Sequence, residues 1–220
     1  MLWTIHRKLL DYLVGATVAS SLGLAAPSLA RIPEEVFEEV LSETEESDWD
    51  AAERLELLRV LSVDERPRVR HAVAKVLALS PATTASAQDL LKTLAMDRVR
   101  AVRHAAAGAL SATLGLLTPL ERLELACDWA VAEQPELRLA VAQALAVPHP
   151  FPASDLVLSN LVNDRVHPVR AAALRSASTR FELDPAALRG IAELALHDSN
   201  RAVRTAARHA FRATFEMDAA

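Results

Sequence analysis

An acid and an arginine recur together along this chain, and charged groups repeated in register are the first candidates for chemistry. Asp64 precedes Arg70, Asp97 precedes Arg103, Asp164 precedes Arg170 and Asp198 precedes Arg204, each by six residues. A fifth arginine, Arg138, follows Glu133 instead. Charged and periodic, these pairs invite a catalytic reading, which needs further catalytic groups around them. His71 and His104 hold equivalent places, each directly after one of the arginines, and two such histidines could converge on a metal. Neighbouring helices pack about 8–10 Å apart, however, and no third ligand accompanies the two, so no metal is expected. Cys127 is the sole cysteine; it forms no intramolecular bridge and leaves no four-thiolate zinc site. At helical spacing it shares a stripe with Leu120, Leu123 and Val131, and it is read as a core thiol. The sequence carries no Gly-rich phosphate loop, nucleophile elbow or paired-carboxylate motif. No catalytic residue and no cofactor is expected.

The elements that position these groups are helices. Alanine and leucine carry most of the 51% hydrophobic share, and glycine occurs only 5 times in 220 residues, a composition that favours helix. Pro27, Pro33, Pro67, Pro81, Pro119, Pro135, Pro148, Pro150, Pro152, Pro168 and Pro185 cut the chain into segments of about 12 to 18 residues with apolar residues at helical spacing. Thr118-Pro119-Leu120-Glu121 has the form of a capping box with proline at the first helical position, and Asp184-Pro185 has the same cap-then-proline start. No run alternates apolar and polar β-branched residues. An all-α chain is expected.

The helices repeat. Val69-Arg70-His71-Ala72-Val73, Val102-Arg103-His104-Ala105-Ala106, Leu137-Arg138-Leu139-Ala140-Val141, Val169-Arg170-Ala171-Ala172-Ala173 and Val203-Arg204-Thr205-Ala206-Ala207 align without gaps, their first residues 33, 35, 32 and 34 positions apart. Asp64, Asp97, Asp164 and Asp198 stand five residues ahead of four of these motifs. In the third, Glu133 stands four residues ahead of Leu137, and its turn is read as one residue shorter. Each motif opens a helix with an apolar stripe at i, i+3, i+4, i+7 and i+8, such as Val69, Ala72, Val73, Val76 and Leu77. A companion helix precedes each, roughly Ala51–Leu61, Ser86–Ala95, Pro119–Ala132, Ser154–Val162 and Pro185–Leu196. Helix pairs repeated at this period describe an α-solenoid in which each pair touches its neighbours.

An Asp, a short turn, then Val-Arg-x-Ala-Ala-x-x-Ala-Leu resembles the HEAT repeat, in particular the short bacterial variety shared with phycobilisome-lyase-like proteins. The resemblance covers about residues 50 to 215. It implies an α-α superhelix, a HEAT/armadillo-like solenoid over 50–217 with repeats of about 50–80, 84–115, 118–147, 153–179 and 184–215. It implies a structural use of the charged pairs: Asp64, Asp97, Asp164 and Asp198 at the turns, and Arg70, Arg103, Arg138, Arg170 and Arg204 as a ladder tying each helix to the adjacent turn. On that view Arg103 counts for more in stability than Arg189. A di-iron hydroxylase on such a scaffold needs His-Glu dipeptides, which this sequence lacks. A bilin-lyase role has nothing beyond the family name behind it.

The resemblance also places the second helices on the concave side, and charge is segregated accordingly. Residues 64–79, 97–114, 134–147, 164–180 and 198–215 together carry a net +10 and the remainder −15, although the whole chain is only −5. Positions two, six and nine after each motif's first residue lie opposite the buried stripe. They bring His71, Lys75, His104, Leu139, Gln143, Arg175, His209 and Arg212 to the candidate partner-binding face, together with Gly108, Ser111 and Ala171. The ends of this face are cationic and its centre small and uncharged, which suits a protein segment with acidic ends and an apolar middle. The same basic face suits nucleic acid as an alternative, but Phe211 and Phe215 are the only aromatics on the second helices for stacking bases.

Residues 1–49 do not follow the repeat. The run from Tyr12 to Ala30 is uncharged and follows Arg7 and Lys8, and Ser28-Leu29-Ala30 resembles a signal-peptidase site. Asp11, Pro27 and the Ser and Gly residues argue against export or a membrane span. A divergent helical cap covering the apolar end of the stack, a docking segment and a cleaved signal all remain open. The expectation from sequence is a cytoplasmic, non-enzymatic scaffold or adaptor, such as a regulatory subunit, for a protein partner with an acidic segment.

Overall fold

The computed structural model describes residues 51–79, 82–147, 154–179 and 185–218. The cap expected over 1–49, the uncharged run within it and the Asp184 cap position lie outside the described residues. Among those described there are ten α-helices and no strand: α1 (Ala51–Ser62), α2 (Pro67–Leu79), α3 (Ala85–Ala95), α4 (Arg100–Leu116), α5 (Pro119–Ala130), α6 (Pro135–Ala144), α7 (Ser154–Val162), α8 (His167–Ser178), α9 (Pro185–Ala195) and α10 (Arg201–Asp218).

Local chemistry sets where these helices begin. Prolines open α2, α5, α6 and α9, where the missing N–H costs nothing. Thr118 caps α5 through a complete capping box, its N–H donating to Glu121 Oε2 at 2.9 Å while its hydroxyl accepts from the Glu121 N–H. Thr84 Oγ1 accepts from the Ala87 N–H at the start of α3.

The five second helices, α2, α4, α6, α8 and α10, pack side by side in sequence order. The first helices are less continuous: α1 meets α3 and α5 meets α7, whereas α3 makes its closer contact with α6 of the following pair. One apolar core runs between the two layers, from Leu57, Leu58 and Leu61 through Val73, Leu77, Leu91, Leu94, Leu110 and Leu114 to Trp129, Val141, Leu158, Leu174, Leu188 and Val203. Each such leucine, fully removed from water, is worth about 1.5–3 kcal/mol.

Two sequence expectations are corrected. All five second helices start three residues after the turn position held by Asp64, Asp97, Ala132, Asp164 and Asp198. The third turn is therefore as long as the others, and Ala132, not Glu133, holds the aspartate's place. Cys127 is not in the core: it is exposed, as are Leu120 at 65% and Val131 at 79%. The helix α5 instead turns Leu125, Ala126 and Trp129 inward. Residue 127 lies two positions beyond Leu125, about 200° further around the helix.

Candidate functional site: the turn ladder and the second-helix face

Each aspartate at a turn first organises its own backbone. Asp97 Oδ1 accepts from the Val99 N–H, Asp164 Oδ1 from Val166 and Asp198 Oδ1 from Asn200, all at 2.7 Å. These bonds fix the carboxylate so that both its oxygens face the arginine of the preceding pair. Arg70 donates through Nε and Nη2 to Asp97 at 2.5 and 3.1 Å. Arg138 does the same to Asp164 at 2.6 and 3.2 Å, and Arg170 to Asp198 at 2.8 and 2.9 Å. The third nitrogen, Nη1, reaches back to the arginine's own turn. It donates to the carbonyls of Asp64 and Glu65 from Arg70, of Ala132 and Glu133 from Arg138, and of Asp164 from Arg170. One planar guanidinium thus ties two successive turns through a bidentate ion pair and at least one carbonyl.

The rungs are well covered. Arg70 and Asp97 side chains are 7% and 8% exposed, as are Arg138 and Asp164, while Arg170 and Asp198 are 16% and 14%. Burial alone would raise the Asp97 and Asp164 carboxyls. The guanidinium and backbone N–H bonds outweigh it, so both titrate below the ordinary aspartate value. The Arg170 bond is the main cause that lowers Asp198. Arg70 and Arg138 are held more firmly protonated by their aspartates, against the opposing effect of burial.

Three of the nine charged positions stand apart. Asp64 takes its guanidinium from its own turn, where Arg66 donates through Nε and Nη2 at 2.9 Å each. Arg204 bonds the Asp198 and Ser199 carbonyls. Arg103 donates Nη1 to the Asp97 and Arg98 carbonyls at 2.7 and 3.1 Å, but the next turn offers Ala132 where the others offer aspartate. Among the described residues it has no carboxylate partner, so Arg103 does not close a rung as Arg70, Arg138 and Arg170 do.

Of the residues expected on the second-helix face, Lys75, His104, Arg175, His209 and Arg212 are exposed, and His71, Leu139 and Gln143 are half-buried. Gly108 is exposed, and a methyl group added there would meet nothing within 4 Å. Ser111 and Ala171 are buried, at 6% and 2% exposure, and do not belong to the face. Some inter-repeat contacts were not anticipated. Ser176 Oγ donates to the Ala142 carbonyl at 2.5 Å, Thr179 Oγ1 to the Ala146 carbonyl at 2.9 Å, and Thr113 Oγ1 accepts from the Ala82 N–H at 3.1 Å. The available signal was a hydroxyl among apolar residues of a second helix, which must find a partner when buried.

Among the described residues, no group of three or more His, Cys, Asp or Glu side chains is placed to hold a metal ion. No described helix is long and apolar enough to cross a membrane.

No protein-family profile matches the chain, and no curated protein matches it in sequence. Among solved structures it is similar to Cex1p, with a TM-score of 0.55 and 14% identity over 97% of this chain. The chain spans 43% of the length of Cex1p. An engineered protein also matches, with a TM-score of 0.42 and 15% identity, covering 94% of this chain and 97% of its own. The likeness to Cex1p is one of all-helical fold.

Proposed function

We propose that this chain is a non-enzymatic HEAT-like α-solenoid that binds a protein partner through the exposed face of its second helices. The observation that carries the reading is the unequal packing of the two layers. Second helices pack against one another extensively at every step and first helices much less so, as expected if the stack curves with the second helices on its shorter, inner side. The resulting face carries Lys75 and His104 toward one end and Arg175, His209 and Arg212 toward the other, with Leu139, Gln143 and Gly108 between them. That distribution suits a segment with acidic ends and a small apolar middle. Exposed charges of this kind set partner choice and encounter rate more than affinity. The exposed thiol of Cys127 suits a reducing, cytoplasmic setting. A catalytic protein that this chain positions or regulates is the partner class we favour.

The test compares the intact chain with a Lys75→Glu, Arg175→Glu, Arg212→Glu variant in affinity purification from the native cell. A stoichiometric protein retained by the first and lost by the second supports the reading. Recovery of no such protein overturns it, and so does tight binding to duplex DNA with steep salt dependence, the signature of phosphate neutralisation.

A further inference from the structure

We propose that the junction of Arg103 and Ala132 is a carboxylate-binding site, filled by an aspartate or glutamate side chain of a bound protein segment. For the source of that carboxylate the inference rests on the protein-binding reading above; the site itself rests on geometry.

Three turns of this chain show what the site is built to hold. In each, a carboxylate accepts three N–H donors: Nε and Nη2 of the preceding arginine, and the backbone N–H two residues beyond the aspartate. The junction between the second and third pairs keeps all three donors, in Arg103 Nε, Arg103 Nη2 and the Gln134 N–H. The guanidinium is oriented by the same Nη1 anchoring to its own turn that orients Arg70. The receiving turn is in register too, because Arg138 bonds the Ala132 and Glu133 carbonyls as Arg70 bonds those of Asp64 and Glu65. Only the acceptor differs, since an alanine methyl replaces the carboxymethyl group.

The site is reachable. Arg103 and Ala132 are half-buried and Gln134 is exposed; of the completed rungs, Arg70 and Arg138 are buried and Arg170 is half-buried. The surrounding charge is mixed. Arg98 and Arg100, both exposed, flank it on the α4 side; Glu133, exposed, and Glu136, half-buried, flank it on the α6 side. The cations outnumber the glutamates, so an anion is attracted here, and the preference for a carboxylate comes from the three-donor arrangement that holds one at the three completed turns. A carboxylate followed by a basic residue fits both sides.

The experiment follows the Arg103 Nε–H and Gln134 N–H signals of the full-length 15N-labelled chain by NMR. The probes are a blocked Gly-Asp-Lys-Gly peptide, its Asn counterpart and inorganic phosphate. The expected result is a saturable shift of both signals with the Asp peptide alone, with an affinity on the order of millimolar for one wet, charge-assisted contact. Ala132→Asp supplies the carboxylate internally and should raise the thermal midpoint and weaken the peptide at least tenfold; Arg103→Gln removes two donors and should abolish the response. Equal shifts with Asp and Asn peptides, a response to phosphate in preference to the Asp peptide, or no response overturns the site. A purified partner whose affinity ignores both variants overturns the site and spares the docking reading. Failure to recover any partner overturns the docking reading, while the peptide titration still decides the site.

Discussion

The junction between the first and second helix pairs and the junction between the second and third are built on the same backbone plan and differ in one side chain. At the first, Arg70 and Asp97 close a bidentate ion pair between helices α2 and α4. At the second, Arg103 faces a turn where Ala132 replaces the aspartate, yet α4 and α6 still pack along one another. The comparison separates two contributions. Apolar contact among Val102, Ala106, Leu110, Leu137, Val141 and Leu145, all buried, is enough to stack one pair on the next. The ion pair adds a directional tie between turns, and a buried pair is weak evidence for net stability in itself. Breaking it is another matter, because the remaining charge is then covered and unpaired.

That contrast orders the expected effects of substitution. The largest follows Arg138→Gln, which leaves Asp164 buried without its guanidinium and frees the Ala132 and Glu133 carbonyls. A loss of about 3–5 kcal/mol is expected from urea unfolding. A smaller loss, about 1.5–3 kcal/mol, is expected from Arg170→Gln, whose rung is the more exposed of the three, 16% and 14% against 7% and 8%. If the two variants unfold at the same urea concentration, coverage does not grade the rungs.

Acid weakens the completed junctions next. The Asp97, Asp164 and Asp198 carboxyls titrate below the ordinary value of 3.8 in the folded chain, so the unfolded chain binds more protons as pH falls toward that value. Their stabilisation is whole above about pH 4 and is lost as pH drops through the lower folded values. Stability measured against pH should fall in this window, and Asp164→Asn should flatten the slope. An unchanged slope in that variant contradicts the tie between Arg138 and Asp164.

Much of the helical plan is legible in the sequence for physical reasons. Proline at a first helical turn and a hydroxyl–carboxylate capping box are local rules, so the starts of α5 and α6 fall at Pro119 and Pro135. The apolar stripe of each second helix is equally local, and Val69, Val73 and Val76 are buried together. Ala132 was misread because an acid one residue away offered a tempting alignment, and the length of the turn is set by helix packing that a charge pattern does not encode. Cys127 was misread because its helix has two moderately apolar faces, and only contact with its neighbours selects the one bearing Leu125 and Trp129. The second-helix positions that proved buried, Ser111 and Ala171, are small. A wheel drawn for one helix places them outward, but packing in the assembled stack leaves them buried.

The direct test of one broken rung among completed ones is to measure thermal and urea unfolding of Arg70→Gln and Arg103→Gln side by side. The Arg70 variant should lose about 3–5 kcal/mol as a broken buried pair, and the Arg103 variant about 1 kcal/mol for its carbonyl bonds alone. Equal losses in the two would contradict the missing rung and, with it, the distinct chemistry assigned to the junction of the second and third pairs.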